Sequence, residues 1–298
     1  MTHEVFRRGV FIADKPQGPT SHQVSAWARD LVGAERAGHA GTLDPRVTGV
    51  LPIAFNEATR ALDALLVGDK EYVGVMELHQ DVPDEKLRGM FQRFTGPVYQ
   101  TPPVRSAVKR VMRVRTIYEL ELLERESRLV LFRARCESGT YIRTLANDLG
   151  EALGVGGHLA DLRRTRAGPF RETDARPLTD LQDAVVTWRE EKDDAAVRRL
   201  VLPMERLIDH LPKIVVRDTA VDAVCHGADL MIPGVSSMDP AIAKGALVAL
   251  LTAKGEGIAL GRALLTPQQV ESAKKGVAAD TERVLMEPGT YPKGWKSP

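Results

Sequence analysis

Strand-like and helix-like segments follow one another along this chain without the regular strand–helix–strand alternation that a Rossmann sheet or an α/β barrel demands. Gly9-Val10-Phe11-Ile12-Ala13 has the length and apolar texture of a short buried strand, and Asp14 to Thr20 is dense in turn formers. Ser21 is placed to cap a helix running through about Val32, with Gly33 to end it. Val50 to Ala54, Tyr72 to Leu78, Ile117 to Leu123 and Leu129 to Cys136 read as strands, the last two joined by a charged turn over Glu124-Arg125-Glu126-Ser127. Helices are predicted from Asp84 to Phe94 and from Ile142 to Leu153, the latter ended by Gly154, and Thr179 to Ile208 reads as helical and charged. This mixture predicts an α+β fold.

After Pro212 the texture changes. Ile214-Val215-Val216, Leu247 to Leu251 and Ile258-Ala259-Leu260 are short apolar runs between Gly, Pro, Asp and Lys, with one early helix over Asp218 to Cys225. That pattern predicts a small β-rich domain, with a boundary near residue 211 and a loose end over Lys293 to Pro298. A length of 298 residues accommodates two such units at about 150 residues per domain.

Charge and cysteine content narrow the class. Lys+Arg number 41 against 40 Asp+Glu, a net charge of +1 that by itself argues against a nucleic-acid partner. The cations are 29 Arg and 12 Lys, and Arg presents a planar fork suited to phosphate, although genome composition also produces such an excess. Cys136 and Cys225 lie far apart and make neither a zinc cluster nor a disulfide framework. The opening Met1 to Gly9 carries Glu4, Arg7 and Arg8 without an apolar run, and no stretch approaches about 18 consecutive apolar residues. The expectation is a cytoplasmic protein with no membrane span.

Ala37 to Gly49 holds three glycines and a proline between a helix and an apolar strand. Glycines at 38, 41 and 49 permit close backbone approach or positive φ, and Pro45 biases Asp44 towards an extended conformation. One carboxylate on a stiff loop results; Asp44 capping a turn is the plain alternative. Other motifs fail on spelling. Gly33 to Gly38 has the glycine spacing of a P-loop, but His39 stands where Lys is required. Gly154-Val155-Gly156-Gly157 lacks the last glycine of a dinucleotide fingerprint, with Leu159 there instead. His39 and His158 have no helical His or Glu partner, so no metal site is expected.

The segment Gly38 to Leu51 resembles the defining motif of the TruB-type pseudouridine synthases, G-H-x-G-x-L-D-P-x-x-x-G-x-L, without a gap. Asp14 to His22, Lys70-Glu71-Tyr72, Gly139 to Leu145 and Leu162 to Phe170 match further blocks in order. The tail, with Cys225 to Leu230 and Pro233-Gly234, resembles a PUA domain, and the whole is most similar to the catalytic subunits of H/ACA ribonucleoproteins, the dyskerin group. The resemblance implies a pseudouridine synthase domain over residues 1–211 and a PUA β-barrel over 212–298.

It further implies that Asp44 is the carboxylate that isomerises uridine in RNA to pseudouridine, with no cofactor and no metal. Such chemistry needs an ionised Asp beside a base taken out of its stack. In an enclosed pocket that charge needs an offsetting cation, and the resemblance gives this task to Arg143. Tyr72 would stack on the uracil, Tyr141 and Leu162 would line its pocket, and His39 would contact RNA near the flipped base. Lys15 would support the catalytic loop or the RNA backbone. In the tail, RNA contacts are expected at the backbone near Gly227, Ala228 and Gly234.

Position now changes the meaning of the charge. Arg105, Lys109, Arg110, Arg113 and Arg115 fall in a stretch without an acid, and Arg163, Arg164 and Arg166 follow Leu162 directly. Both clusters read as phosphate contacts hidden by a neutral average. Implied partners are an H/ACA-type guide RNA, small ribonucleoprotein subunits, and ribosomal or transfer RNA as substrate. A stand-alone transfer-RNA synthase and a guide-RNA scaffold without activity are the alternatives; the intact Asp44, Tyr72 and Arg143 set argues against the scaffold.

Overall fold

The structure is a computed structural model describing residues 3–101 and 111–294. Strand β1 (Gly9–Lys15) leads into helix α1 (Ser21–Val32), the short β2 (Ala37–His39) and β3 (Thr48–Phe55). A 3-10 stretch over Asn56–Leu66 carries the chain to β4 (Lys70–Leu78), α2 (Asp84–Arg93), β5 (Gly96–Gln100), β6 (Arg113–Glu126), β7 (Leu129–Cys136) and α3 (Ile142–Leu153). Next come β8 (Gly157–Ala167), β9 (Phe170–Arg171), α4 (Leu178–Glu191), α5 (Ala195–Leu200) and β10 (Val201–Pro203). The remainder is β11 (Lys213–Val216), α6 (Asp218–Cys225), β12 (Leu230–Met231), β13 (Val235–Met238), β14 (Leu247–Leu251), β15 (Gly257–Ala263), α7 (Pro267–Ser272) and β16 (Val277–Val284).

Ten strands make one mixed sheet, ordered β10-β1-β3-β8-β4-β7-β6-β5, with β2 beside β3 and β9 beside β8. All of its pairings are antiparallel except β3 with β8, where Thr48 faces Arg163 and Gly49 faces Arg164. Six strands make the second sheet, β12-β16-β15-β14-β11-β13, a small and nearly closed barrel. The α+β expectation therefore holds.

The sheet positions are dictated by side-chain patterning. In β4 alternate residues point inward, placing Lys70, Tyr72, Gly74, Met76 and Leu78 on one face. In β3 the apolar run is buried on both sides: Leu51, Ile53 and Phe55 enter the core under the helices, while Val50 and Ala54 enter a second core. That second core also takes Leu207, Ile208 and Leu211 with Leu251, Leu260 and Leu285, so the two sheets are joined through packed apolar side chains. Helix α3 buries Ile142, Leu145, Ala146, Leu149 and Leu153, the stripe expected of an amphipathic helix.

Several local expectations need correction. The cap of α1 is Thr20, whose Oγ1 accepts from the Gln23 amide while the Gln23 side chain accepts from the Thr20 amide. Ser21 is engaged elsewhere. Glu124 to Glu126 belong to β6, because Arg125 pairs with Val130 and Glu126 with Leu129, leaving the tight turn to the next two residues. Thr179 to Ile208 is not helical throughout: Val201–Pro203 forms β10, paired with β1 through Phe11, Val10 and Gly9. In the barrel, β12, β13, α7 and β16 add to the elements foreseen. Among the described residues no helix is long and apolar enough to cross a membrane.

Candidate active site

Asp44 sits in the connection between β2 and β3, and both of its neighbours are tied down. Before it, the Leu43 amide donates to Ser21 Oγ at 2.8 Å and that hydroxyl donates back to the Leu43 carbonyl at 3.0 Å. After it, the Pro45 carbonyl accepts from Lys15 Nζ at 3.2 Å and from the Gly18 amide at 2.8 Å. Lys15 also donates to the Pro16 and Val47 carbonyls at 2.8 and 2.9 Å. Leu43 and Val47 anchor the loop in the apolar core. The block Asp14 to His22 thus supplies the clamp that aims Asp44.

Lys15 is fully buried and spends its ammonium on three carbonyls, so it is a support for the loop rather than an RNA contact. Gly49 shows why the loop must end in glycine. Its φ is +102°, and a Cβ there would lie 2.2 Å from the Arg164 carbonyl oxygen of the adjacent parallel strand.

The Asp44 carboxylate is paired with the Arg143 guanidinium, the partner that the family resemblance implies. Arg143 is the second residue of α3, and the entry to that helix is fixed by Gln100. The Gln100 Oε1 accepts from the Tyr141 amide at 2.9 Å, and its Nε2 donates to the Tyr141 carbonyl at 3.1 Å. Neither Gln100 nor the second role of Ser21 was visible in the sequence, because each acts on backbone far away in the chain.

Among the described residues nothing encloses the Asp44 carboxylate as foreseen. The side chains of Arg143 and Asp44 are 56% and 53% exposed, so water screens their attraction. An open pair of this kind contributes about 0–1 kcal/mol to stability. Its presence is explained by what it keeps ready, an oriented carboxylate on a rigid loop.

Tyr72 and Leu162 are buried at 9% and 7% exposure, packed in the core that runs beneath the loop. Tyr72 offers little open ring surface for stacking, while Tyr141 is half-buried beside Arg143. His39 bonds Ser25 Oγ through Nδ1 at 3.0 Å and meets the His22 ring edge-on at 4.8 Å. Burial, then the charges of His22 and Arg164, push His39 down to about 4. Near neutral pH it is an uncharged hydrogen-bonding group on a polar cavity of about 500 Å³ lined also by Ser25, Arg29 and Thr42.

Three of the phosphate or backbone contacts foreseen from sequence fall on residues that are buried or already paired. Arg163 donates both terminal nitrogens to Asp14, at 2.9 and 3.0 Å, and its Nε to Glu172, so two carboxylates already satisfy it. Arg164 is 1% exposed and faces the interior. Gly234 is buried against α6, where a Cβ would lie 2.8 Å from that of Ala220. Gly227 and Ala228 are exposed, but their amides donate to the Val224 and Ala223 carbonyls. Arg105, Lys109 and Arg110 lie outside the described residues. Among the described residues no cluster of three or more His, Cys, Asp or Glu is arranged to hold a metal.

Lys70 gives the site a pH signature. It is buried beside Arg164 and donates to the Leu65 and Gly68 carbonyls at 2.8 and 2.6 Å. Burial, then the Arg164 charge, pulls its ammonium from 10.5 down to about 8. Between these values the unfolded chain binds more protons, so stability from this group rises with pH through that window, and below it the cost of the buried charge is complete. Urea unfolding at about pH 7.5 and 10 should show wild type gaining on Lys70→Met by on the order of 3 kcal/mol. A gap that is unchanged or moves the other way contradicts this.

The site is thus a stiffly held Asp–Arg pair on an α+β domain that is followed by a small barrel. Comparison with known proteins makes the class specific. Residues 29–142 match the TruB family pseudouridylate synthase N-terminal domain, residues 143–209 the tRNA pseudouridylate synthase B C-terminal domain, and residues 212–285 the PUA domain. A probable tRNA pseudouridine synthase B of Methanosarcina barkeri is 52% identical over 292 residues, covering 98% of this chain and 86% of that protein. Among solved structures, one in a Cbf5-Nop10-Gar1 complex superposes with a TM-score of 0.93 at 49% identity, over 97% of this chain and 88% of that one. Another, in an H/ACA RNP bound to a substrate RNA containing 2'-deoxyuridine, gives 0.90 at 46% identity, over 98% and 89%. The chain belongs to the TruB family of pseudouridine synthases and carries a PUA domain.

Proposed function

We propose that this chain is the catalytic subunit of an RNA-guided particle that converts chosen uridines to pseudouridine, acting in the cytoplasm on ribosomal RNA and also on transfer RNA. The catalytic domain takes residues 1–211 and the PUA domain residues 212–298, with the first apolar strand of the barrel starting just past that boundary. Asp44 is the catalytic carboxylate and Arg143 the cation that keeps it charged and oriented. Tyr72, Tyr141, Leu162 and His39 border the space a flipped uracil would enter. Gly227 and Ala228, on the exposed turn after α6, are offered to RNA by shape.

The observation that carries this reading is the clamp on Asp44. Ser21, Lys15 and Gly18 fix the backbone on both sides, so the carboxylate is presented without reorganisation while remaining open to a base delivered from outside. During isomerisation the N1–C1' bond of uridine breaks and a C5–C1' bond forms; C5 loses its proton and N1 gains one. No electron is gained or lost overall.

Similarity to chains solved with Nop10 and Gar1, and in an H/ACA RNP with substrate RNA, supports the guide-dependent form. The names of curated relatives, tRNA pseudouridine synthase B, favour the stand-alone alternative. Unmodified transfer RNA offered to the chain with and without guide RNA and small partner proteins separates them. Pseudouridine forming only with guide and partners is the expected result; full activity of the isolated chain on transfer RNA overturns guide dependence.

A further inference from the structure

Among the described residues Arg164 is the largest fully buried side chain, and it has no carboxylate partner there. Its Nε donates to the Val50 carbonyl at 2.8 Å, and Tyr72 stands opposite it in the adjacent strand, near enough for each to act on the other's ionisation. Its Nη1 lies 3.0 Å from the point where a Cβ on Gly41 would sit, and its Nη2 is buried with no acceptor among the described residues. Burying a guanidinium with an idle donor costs several kcal/mol that packing alone does not recover, and an apolar side chain of similar volume would serve the core better. Retention of the charge therefore calls for a role outside stability.

Register supplies that role. Tyr72 of β4 is directly opposite Arg164 of β8, so both side chains leave the sheet on the same face. Gly41, with φ of +72°, is the turn three residues ahead of Asp44, and Val50 is the third residue of β3, the strand after the loop. One guanidinium thus meets both flanks of the catalytic loop and faces the tyrosine beside it.

We propose that Arg164 is a positioning residue for the isomerisation, holding the Tyr72 hydroxyl and the Asp44 loop in one fixed relation and placing a positive charge beside that hydroxyl. This rests on the reading that Tyr72 borders the bound uracil. Burial pushes the Tyr72 hydroxyl up, and the charge of Arg164 pulls it back towards ionisation. Lys70, Cys136 and His39, with His22 beyond it, are the other titratable groups facing this cluster, and Arg164 lowers both the Lys70 ammonium and the His39 imidazole.

The test is a double-mutant cycle on the reconstituted enzyme with its RNA components, using Arg164→Met, Tyr72→Phe and the pair, with release of the uracil C5 hydrogen as the rate. Arg164→Met should lower turnover by about 100-fold with RNA affinity within about threefold, yet add less than about twofold to the loss in Tyr72→Phe. The Tyr72 ring carbon bonded to oxygen, followed by 13C NMR, should titrate higher in Arg164→Met than in wild type. Equal losses from Arg164→Met in both backgrounds, or an unmoved titration, overturn the proposal. Should Arg164→Met fail to fold, Arg164→Lys decides: the account expects at least about tenfold slower turnover with the hydroxyl titration near wild type, and wild-type turnover refutes it. Full turnover by Tyr72→Phe would instead bring down the underlying reading of the site.

Discussion

Asp44→Asn is expected to abolish pseudouridine formation, at least about 1000-fold below wild type, while leaving the fold and RNA affinity nearly intact. The substitution keeps the shape of the side chain and the clamp on its backbone, since Ser21, Lys15 and Gly18 bond only main-chain atoms there. What it removes is the negative charge that faces Arg143. Because that pair is more than half exposed, its loss should cost less than about 1 kcal/mol of stability. Binding should hold because a carboxylate contributes no phosphate contact. A variant that binds, melts like wild type and still turns over at wild-type speed removes Asp44 from the chemistry.

Gly49→Ala should act by the opposite route, through the fold. The residue sits at φ of +102°, outside the range of ordinary side chains, and its Cβ would stand 2.2 Å from the Arg164 carbonyl oxygen and 2.9 Å from its amide nitrogen. Neither obstacle is a movable side-chain end. Strain of about 1–3 kcal/mol from the backbone adds to about 1–3 kcal/mol from overpacking, and the parallel join between β3 and β8 must part to relieve it. A loss of about 3 kcal/mol or more in urea unfolding is expected, with turnover falling because the Asp44 loop ends at this join. Gly89→Ala, inside α2 with nothing within 4 Å, is the control and should stabilise by about 0.5–1 kcal/mol. Equal stability of the two variants contradicts the account.

Much of the site was readable because its constraints are local and apolar. The strands around residues 10, 52, 75 and 132 were visible as apolar runs, and α3 as a periodic stripe ended by Gly154. The loop around Asp44 was readable as a stiff one from its glycines and proline, whereas the role of its carboxylate came from the family resemblance alone. What misled was charge. Arg163 and Arg164 looked like a phosphate-binding pair, yet adjacent residues on a strand face opposite sides. Leu162, Arg164 and Tyr72 share one interior face, while Arg163 meets Asp14 from β1. Alternation alone would have turned Arg164 inward beside Leu162.

Other features depended on distant partners that spacing cannot reveal. Ser21 reaches Leu43 and Gln100 reaches Tyr141, each through a two-way bond to backbone. The polar strand β16, with Asp280, Glu282 and Arg283, resembles a loop in sequence because only its inner residues Ala278 and Ala279 are buried. Its ladder to β15 makes it a strand.

The central claim is that this chain moves a uracil from nitrogen to carbon attachment without releasing it. The most direct measurement uses RNA carrying tritium at uracil C5 and a separate label in the ring, incubated with the chain, guide RNA and partner proteins. Tritium should appear in water, one for each targeted uridine, while the ring label stays in RNA of unchanged mass. Free labelled uracil, or tritium retained in fully bound RNA, would contradict the account.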